Sequence, residues 1–180
     1  MKIFAETERL ILREFLSTDV EDLFKMDSNP EVHRYLGNKP LQTIAEAEKI
    51  IQFVLQQYAD YGIGRWAAVE KATGNFIGWS GLKFITEEEN NHIHFYDVGY
   101  RLSPEFWGRG YATESAKAAI QYGFMQMNLK EIIGTAHVDN VKSRRALEKC
   151  GLKFVEKFYY KDELQCDWLK ITKEEWEFVK

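Results

Sequence analysis

Hydrophobic and polar positions change rhythm several times along the chain, and each change marks an element. From Thr7 to Phe15 (TERLILREF) Leu10 and Leu12 alternate with Ile11 and Arg13, the period-two pattern of a strand with one face more buried than the other. Val20, Leu23 and Phe24 then recur at helical spacing between Asp19 and Met26, after the capping candidates Ser17 and Thr18, and the run breaks at Ser28, Asn29 and Pro30. A short segment, Glu31 to Leu36, closes at Gly37. A longer helix is predicted from Thr43, with Ile44, Ala47, Ile51, Val54, Leu55 and Tyr58 on one side and a stop at Gly62 and Gly64.

Strand rhythm returns at Arg65–Glu70 and Phe76–Phe84, joined by Ala72, Thr73, Gly74 and Asn75 with the turn chemistry of a hairpin. A polar loop, Glu87–Asn91, precedes a strand from His94 to Leu102. Beyond it helices alternate with strands: a helix over Ala112–Met125, a strand over Ile132–Val138, and a helix over Val141–Cys150 closed by Gly151. Two strands follow near Phe154–Tyr160 and Cys166–Ile171. This order predicts one α/β (α+β) domain over residues 1–180, with a mixed, mainly antiparallel sheet flanked by helices.

Composition narrows the chemistry. The 180 residues suffice for one core, and the net charge of -4 argues against a polyanion binder, so no nucleic-acid partner is expected. Cys150 and Cys166 lie in separate elements without C-x-x-C spacing or a nearby His, which reads as two reduced thiols and no metal. The N-terminus has charged residues and strand alternation where a leader would be apolar, and no stretch approaches bilayer length; no membrane association and a cytoplasmic location are the expectations.

The most informative segment is Leu102–Glu114, LSPEFWGRGYATE, which sets Gly108 and Gly110 between a strand and a helix. Two residues without Cβ can take positive φ, so backbone N–H groups from Gly108 to Ala112 can converge on an anion at the positive end of the helix. Thr113 stands where a dinucleotide fingerprint needs a third glycine, and no Gly-Lys-Ser/Thr follows, so neither nicotinamide nor ATP is favoured.

Trp107–Ala112 (WGRGYA) resembles the acyl-CoA pyrophosphate loop of the GNAT acetyltransferases, Gln/Arg-x-x-Gly-x-Gly/Ala, in Gly110 and Ala112. Trp107 departs from the general pattern but resembles the W-G-x-G-Y-A-T-E form of the RimJ/RimL branch. TERLILREF, Glu31–Leu36, DVGYRL (Asp97–Leu102) and the run from Asn140 through Ser143 and Glu148 to Gly151 resemble the branch's other segments in the right order. The resemblance implies acetyl-CoA as cosubstrate, a coenzyme-binding core over about residues 94–152, and a sheet splayed between the strands His94–Leu102 and Ile132–Val138. It also implies direct attack of an amine on the thioester. The implied acceptor is a protein N-terminal α-amine; a small amine, amino acid or antibiotic is the alternative. An acyl-CoA-binding sensor without catalysis is the reading outside enzymes, and homodimer formation stays open.

Carried onto this chain, Leu102, Trp107, Gly108, Arg109, Gly110, Tyr111, Ala112 and Thr113 would hold the coenzyme. A backbone N–H near Tyr100–Leu102 would serve as oxyanion donor. Asn140 would hold the pantetheine amide. Many relatives place a tyrosine seven residues after that Asn as acid for the leaving thiolate; here the position is Leu147, and Ser143 is implied instead. Asn140 and Ser143 equally suit a helix cap. Asp97 is the first candidate for the base or water relay and His137 the second. Lys142 and Arg144 could meet coenzyme phosphates, and Tyr35, Trp66, Trp79, Phe84 and Tyr100 could line an acceptor pocket, although strand aromatics commonly fill cores.

Overall fold

In a computed structural model, residues 1–178 are described. They build one eight-stranded sheet, ordered β1-β2-β3-β4-β5-β6-β8-β7, with five helices around it. The alternation at the N-terminus sets the first edge: Leu10 and Leu12 of β2 (Leu10–Arg13) are fully buried while Ile11 and Arg13 are half-buried, and the preceding Ile3–Glu6 forms its own strand, β1, antiparallel to β2. The expected single strand over 7–15 is thus the second arm of a hairpin. β3 (Trp66–Glu70) and β4 (Phe76–Ile85) continue the antiparallel order, and β5 (Phe95–Leu102) pairs with β4 over eight residues.

The order breaks between β5 and β6 (Glu131–His137). These neighbours run parallel and share one Cα partner pair, Asp97 with Ile133, whereas β6 pairs along its whole length with β8 (Leu164–Thr172) on its other side. β7 (Lys153–Tyr160) closes that edge against β8. Past Asp97 and Ile133 the halves running to Leu102 and His137 therefore have backbone groups without ladder partners between them, which is the splay the resemblance implies.

Strand alternation then assigns side chains to two layers. Val98, Leu102, Ile132 and Ala136 face α3 (Tyr111–Met125) and α4 (Val141–Lys149), packing with Ala116, Ala119, Ile120, Phe124 and Leu147. On the other face Ala67 meets Leu23 and Met26 of α1 (Val20–Asp27) and Ala47, Ile51 and Val54 of α2 (Ile44–Tyr61). α2 starts where Glu46 accepts the backbone N–H of Thr43 at 2.8 Å and ends at Gly62, whose φ of 70° turns the chain. Phe95, Ile133, Phe158, Cys166 and Trp168 form a third cluster beneath the β4–β5 loop.

The short segment Glu31–Leu36 makes successive three-residue turns, such as Val32 N–H to Asn29 and Leu36 N–H to His33, because Pro30 and Gly37 leave room for barely two turns. Two expectations need correction. The helix after the glycine loop starts at Tyr111, one residue before the expected Ala112. A terminal helix, α5 (Lys173–Phe178), follows β8 where none was predicted.

Candidate active site

The glycine loop sits at the end of β5, where the splay is widest. Gly108 and Gly110 both take positive φ, 72° and 83°, and Gly110 is the N-cap of α3 with no side chain to cap it. The first N–H groups of α3 are unused by the helix itself and are free to meet an anion at its positive end. A Cβ on Gly108 would meet nothing within 4 Å, and one on Gly110 would stand 3.5 Å from the Arg9 guanidinium, so the space over the loop is open and cation-edged. These features fit the pyrophosphate of acetyl-CoA.

What fixes this loop lies far away in sequence. Glu114, one turn into α3, accepts Thr7 Oγ1 at 2.6 Å, the Arg9 backbone N–H at 3.0 Å and Arg9 Nε at 2.7 Å, tying the helix start to the β1–β2 turn. Burial works against the Glu114 carboxylate, but these bonds outweigh it and hold the group below the ordinary carboxylate range. Arg9 then donates to the Arg109 carbonyl at 2.9 Å and covers the Tyr111 ring at 4.1 Å. Tyr111 donates its hydroxyl to Glu70, and Trp107 donates its indole N–H to the Leu102 carbonyl at 2.7 Å.

Leu102, Trp107 and Tyr111 thus hold the loop through their side chains or carbonyls, leaving the backbone of Gly108–Thr113 to face a ligand. The Arg109 guanidinium lies 5.6 Å from the Phe106 ring, and the Thr113 carbonyl accepts the Cys150 thiol at 3.6 Å. Arg9 and Glu114 were missed as site residues, although both belong to motifs quoted above; nothing in their spacing pairs residues 105 positions apart.

On the α4 side of the splay, Asn140 accepts the Ser143 N–H at 3.2 Å as the N-cap, so its carbonyl is used and its amide N–H groups remain. Ser143 Oγ lies 3.2 Å from the Tyr100 hydroxyl, which donates to the Ser143 carbonyl at 2.8 Å. Tyr100 therefore belongs to the coenzyme face and not to an acceptor pocket. Burial raises its phenol well above the ordinary value and keeps it protonated. Leu147 is 1% exposed and packs over Gly134, whose added Cβ would come within 3.0 Å of it, so this position is core. Arg144, expected near phosphates, pairs instead with Asp167 and Glu148, each at 2.9 Å.

Asp97 lies on the opposite face at the apex of the splay, and it is no loose surface carboxylate. Arg65 pairs with its Oδ2 and donates to its main-chain carbonyl at 2.7 Å and to that of Gly81 at 2.6 Å. Burial drives Asp97 upward in pKa, with Arg65 and Lys83 pulling it back, and its Oδ1 is buried without a hydrogen bond. His137 accepts the Asp139 N–H at Nδ1 (3.1 Å) and packs 5.6 Å from Tyr35, at the mouth of the splay and away from Asp97. Trp66 is fully buried, stacked on Phe4 at 4.9 Å, and leaves the list of pocket aromatics; Trp79 carries the Arg65 and Arg101 guanidinium groups at 5.4 and 5.1 Å.

A groove of about 790 Å³ runs between α2, the β4–β5 loop and the β7–β8 hairpin and reaches Lys83, the β4 partner of Asp97; Phe84 lines it with Phe53, Tyr61, Lys83 and Glu89. Among the described residues no group of three His, Cys, Asp or Glu side chains could hold a metal, and no helix is long and apolar enough to cross a membrane.

Comparison with known proteins agrees with this geometry. Residues 9–153 match the family model described as an acetyltransferase (GNAT) domain. The chain is 32% identical over 148 residues to the uncharacterized N-acetyltransferase YoaA of Bacillus subtilis (strain 168), covering 82% of this chain and 81% of that one. It is 27% identical over 156 residues to the spermidine N(1)-acetyltransferase of Vibrio cholerae, covering 86% and 84%. The fold superposes on the crystal structure of an acetyltransferase (GNAT family) from Bacillus anthracis with a TM-score of 0.78 at 24% identity, covering 97% of this chain and 99% of that one. The chain belongs to the GNAT acetyltransferase family and is an acetyl-CoA-dependent N-acetyltransferase.

Proposed function

We propose that this enzyme acetylates a small cationic primary amine that enters from the α2 face, over Asp97, while acetyl-CoA lies along the splay from the glycine loop. The observation that carries this reading is the groove that reaches Lys83, the ladder partner of Asp97. Its lining has five carboxylates, Asp60, Glu87, Glu88, Glu89 and Asp162, against three lysines, Lys83, Lys157 and Lys161. Phe53, Tyr61, Phe84 and Tyr160 supply apolar walls for an alkyl chain. A relative that acts on spermidine supports the same class.

In this reading the unpaired backbone between β5 and β6 takes the pantetheine arm as an added strand, and N–H groups of Gly108–Thr113 with Arg9 receive the pyrophosphate. Asn140 offers its free amide N–H to the arm. The amine attacks the thioester carbon from the Asp97 side, and an N–H near Tyr100–Leu102 meets the developing oxyanion. Placing amine and thioester in line supplies much of the rate, and Ser143 offers its hydroxyl proton to the departing thiolate.

A protein N-terminal α-amine is the second reading, favoured by the W-G-R-G-Y-A-T-E form of the glycine loop. One assay separates the two: coenzyme A release from acetyl-CoA with a panel of diamines, polyamines, amino acids and peptides with free N-termini. Turnover on amines with a second cationic centre, lost when that centre is replaced by a hydroxyl, supports the first reading. Turnover confined to peptides supports the second, and slow hydrolysis with every amine returns the chain to an acyl-CoA sensor.

A further inference from the structure

We infer that Glu89, in the β4–β5 loop, is the general base that takes the proton from the acceptor ammonium, and that Asp97 beneath it is held as a fixed charge by Arg65. Its premise is that the acceptor enters through the groove, as proposed above.

Asp97 is poorly placed to accept a proton repeatedly. One of its oxygens is bound by Arg65, which also grips the Asp97 and Gly81 carbonyls, so the pair is a strut joining β3, β4 and β5 at the apex of the splay. Glu89 is half-buried and carries no guanidinium clamp like the one Arg65 places on Asp97. Its side chain lines the groove and makes no ion pair within 4 Å among the described residues. Its backbone is nevertheless fixed: Glu89 and His92 exchange N–H···O bonds of 2.9 Å each, the turn between them runs through Asn90 and Asn91 at positive φ, and the His92 ring stacks on Trp168 at 4.9 Å. Asn90 adds a bond to Glu156 at 3.0 Å. The loop is thus anchored on β7 and β8.

The contacts of the loop locate the carboxylate. Lys83, which stands opposite Asp97 in the β4–β5 ladder, lines the groove together with Glu89, and His92, bonded to Glu89, stacks on Trp168, which stands opposite Thr135 of β6. Glu89 therefore lies between β8 and the Asp97 end of the splay, with Asp97, Lys83, Arg65 and Lys161 as its charged surroundings. Asp60 reaches the same groove from α2, and Glu87, Glu88 and His92 share the loop. Burial first, and the Asp97 charge second, push Glu89 up to about 7, where a base can both accept and release a proton at neutral pH.

The step balances. One ammonium N–H bond breaks and its proton passes to Glu89; the freed nitrogen lone pair forms the C–N bond, and as the C–S bond breaks a second N–H proton leaves the nitrogen for water in the groove, giving the neutral amide. The departing thiolate takes the Ser143 hydroxyl proton, which water replaces, and Glu89 returns its own proton to water, so one proton is released per turnover.

The test compares the pH dependence of kcat in the wild type, Glu89→Gln and, as a charge-loss control away from the groove, Glu174→Gln on α5, with spermidine or, if spermidine is inert, the peptide that turns over. Glu89→Gln should lose about 10²-fold in kcat together with the rising limb near pH 7, while acetyl-CoA affinity and thermal unfolding stay as in the wild type and Glu174→Gln behaves as the wild type. An unchanged kcat and limb overturns the inference, as does a change confined to the acceptor KM, which would make Glu89 a cation-binding group. A wild type that turns over no amine refutes the acetyl-transfer reading itself. If Glu89→Gln fails to fold, Glu89→Asp, one methylene short, should keep the limb and lower kcat; a wild-type kcat in that variant overturns the inference equally.

Discussion

Gly110 is where backbone geometry and charge can be separated by two substitutions. At φ 83° any side chain adopts a left-handed conformation, which costs about 1–2 kcal/mol, and part of this is offset by a less flexible unfolded chain, worth about 0.4–1 kcal/mol. An added Cβ meets only Arg9 Nη2, at 3.5 Å, an ordinary contact. Gly110→Ala should therefore fold with a stability loss near 1 kcal/mol and bind acetyl-CoA almost normally. Gly110→Glu carries the same backbone cost and adds a carboxylate among the N–H groups offered to the pyrophosphate. Two unit charges about 5 Å apart repel by about 3 kcal/mol at an effective dielectric of about 20, so acetyl-CoA affinity should fall by 10²-fold or more. The new carboxylate would also compete with Glu114 for Arg9. Calorimetric titration with acetyl-CoA, beside thermal unfolding of both variants, measures the two effects. A folded Gly110→Glu protein that binds acetyl-CoA within threefold of Gly110→Ala would refute the placement of the coenzyme on this loop.

Ser143→Ala and Tyr100→Phe should each lower kcat by about tenfold or more while leaving acetyl-CoA affinity near normal, and the double variant should lose little beyond either one, because a single hydrogen-bonded pair is removed; additive losses measured by steady-state kinetics would separate them. Glu114→Gln should destabilise by roughly 1–2 kcal/mol at pH 7, a figure reduced for the exposure of Arg9. Because Glu114 in the folded protein lies below its unfolded value, its stabilisation is present above the ordinary carboxylate range and lost as pH falls through the folded value, so wild type and variant should converge in thermal unfolding toward acid pH. Burial pushes the thiols of Cys150 and Cys166 up to about 12 and about 11, so a chromogenic thiol reagent at pH 8 should label neither in the native protein and both after unfolding; rapid native labelling would contradict their packing.

The coenzyme half of the site was legible because its signals are local. A glycine pair between a strand and a helix, and an Asn three residues before a Ser, are short-range arrangements whose geometry follows from their own backbone, and both appear where expected. Strand alternation is likewise local, but it does not say which layer each face meets. Tyr100 was therefore counted among acceptor aromatics and lies against Ser143, while Trp66 disappears into the core between Gly81 and Phe4. The rest of the site depends on meetings across long sequence distances: Arg9 with Glu114 behind the glycine loop, and, on the acceptor side, Arg65 with Asp97 and the β4–β5 loop with Trp168. No periodicity encodes those. Pro30 and Gly37 did carry a visible warning against a regular helix between α1 and α2.

The two faces of the sheet divide the chemistry in a way that follows from the single pair joining β5 to β6. Residues two apart on one strand share a face, so Asp97 and Arg101 look toward α1 and α2 while Val98, Tyr100 and Leu102 look toward α3 and α4. Where neighbouring strands remain paired, such faces are sealed from each other by the ladder. Where they part, a thioester lying in the gap is open to an amine from the Asp97 face while its sulfur stays within reach of the Ser143 face. The acidic lining of the groove lies on the first face, and the cation-edged glycine loop lies at the end of the gap, next to the start of α3. A cationic acceptor and an anionic coenzyme would thus reach one carbon by separate routes, each with complementary charge, and a protein with this sheet needs no moving lid to keep the two apart before they react.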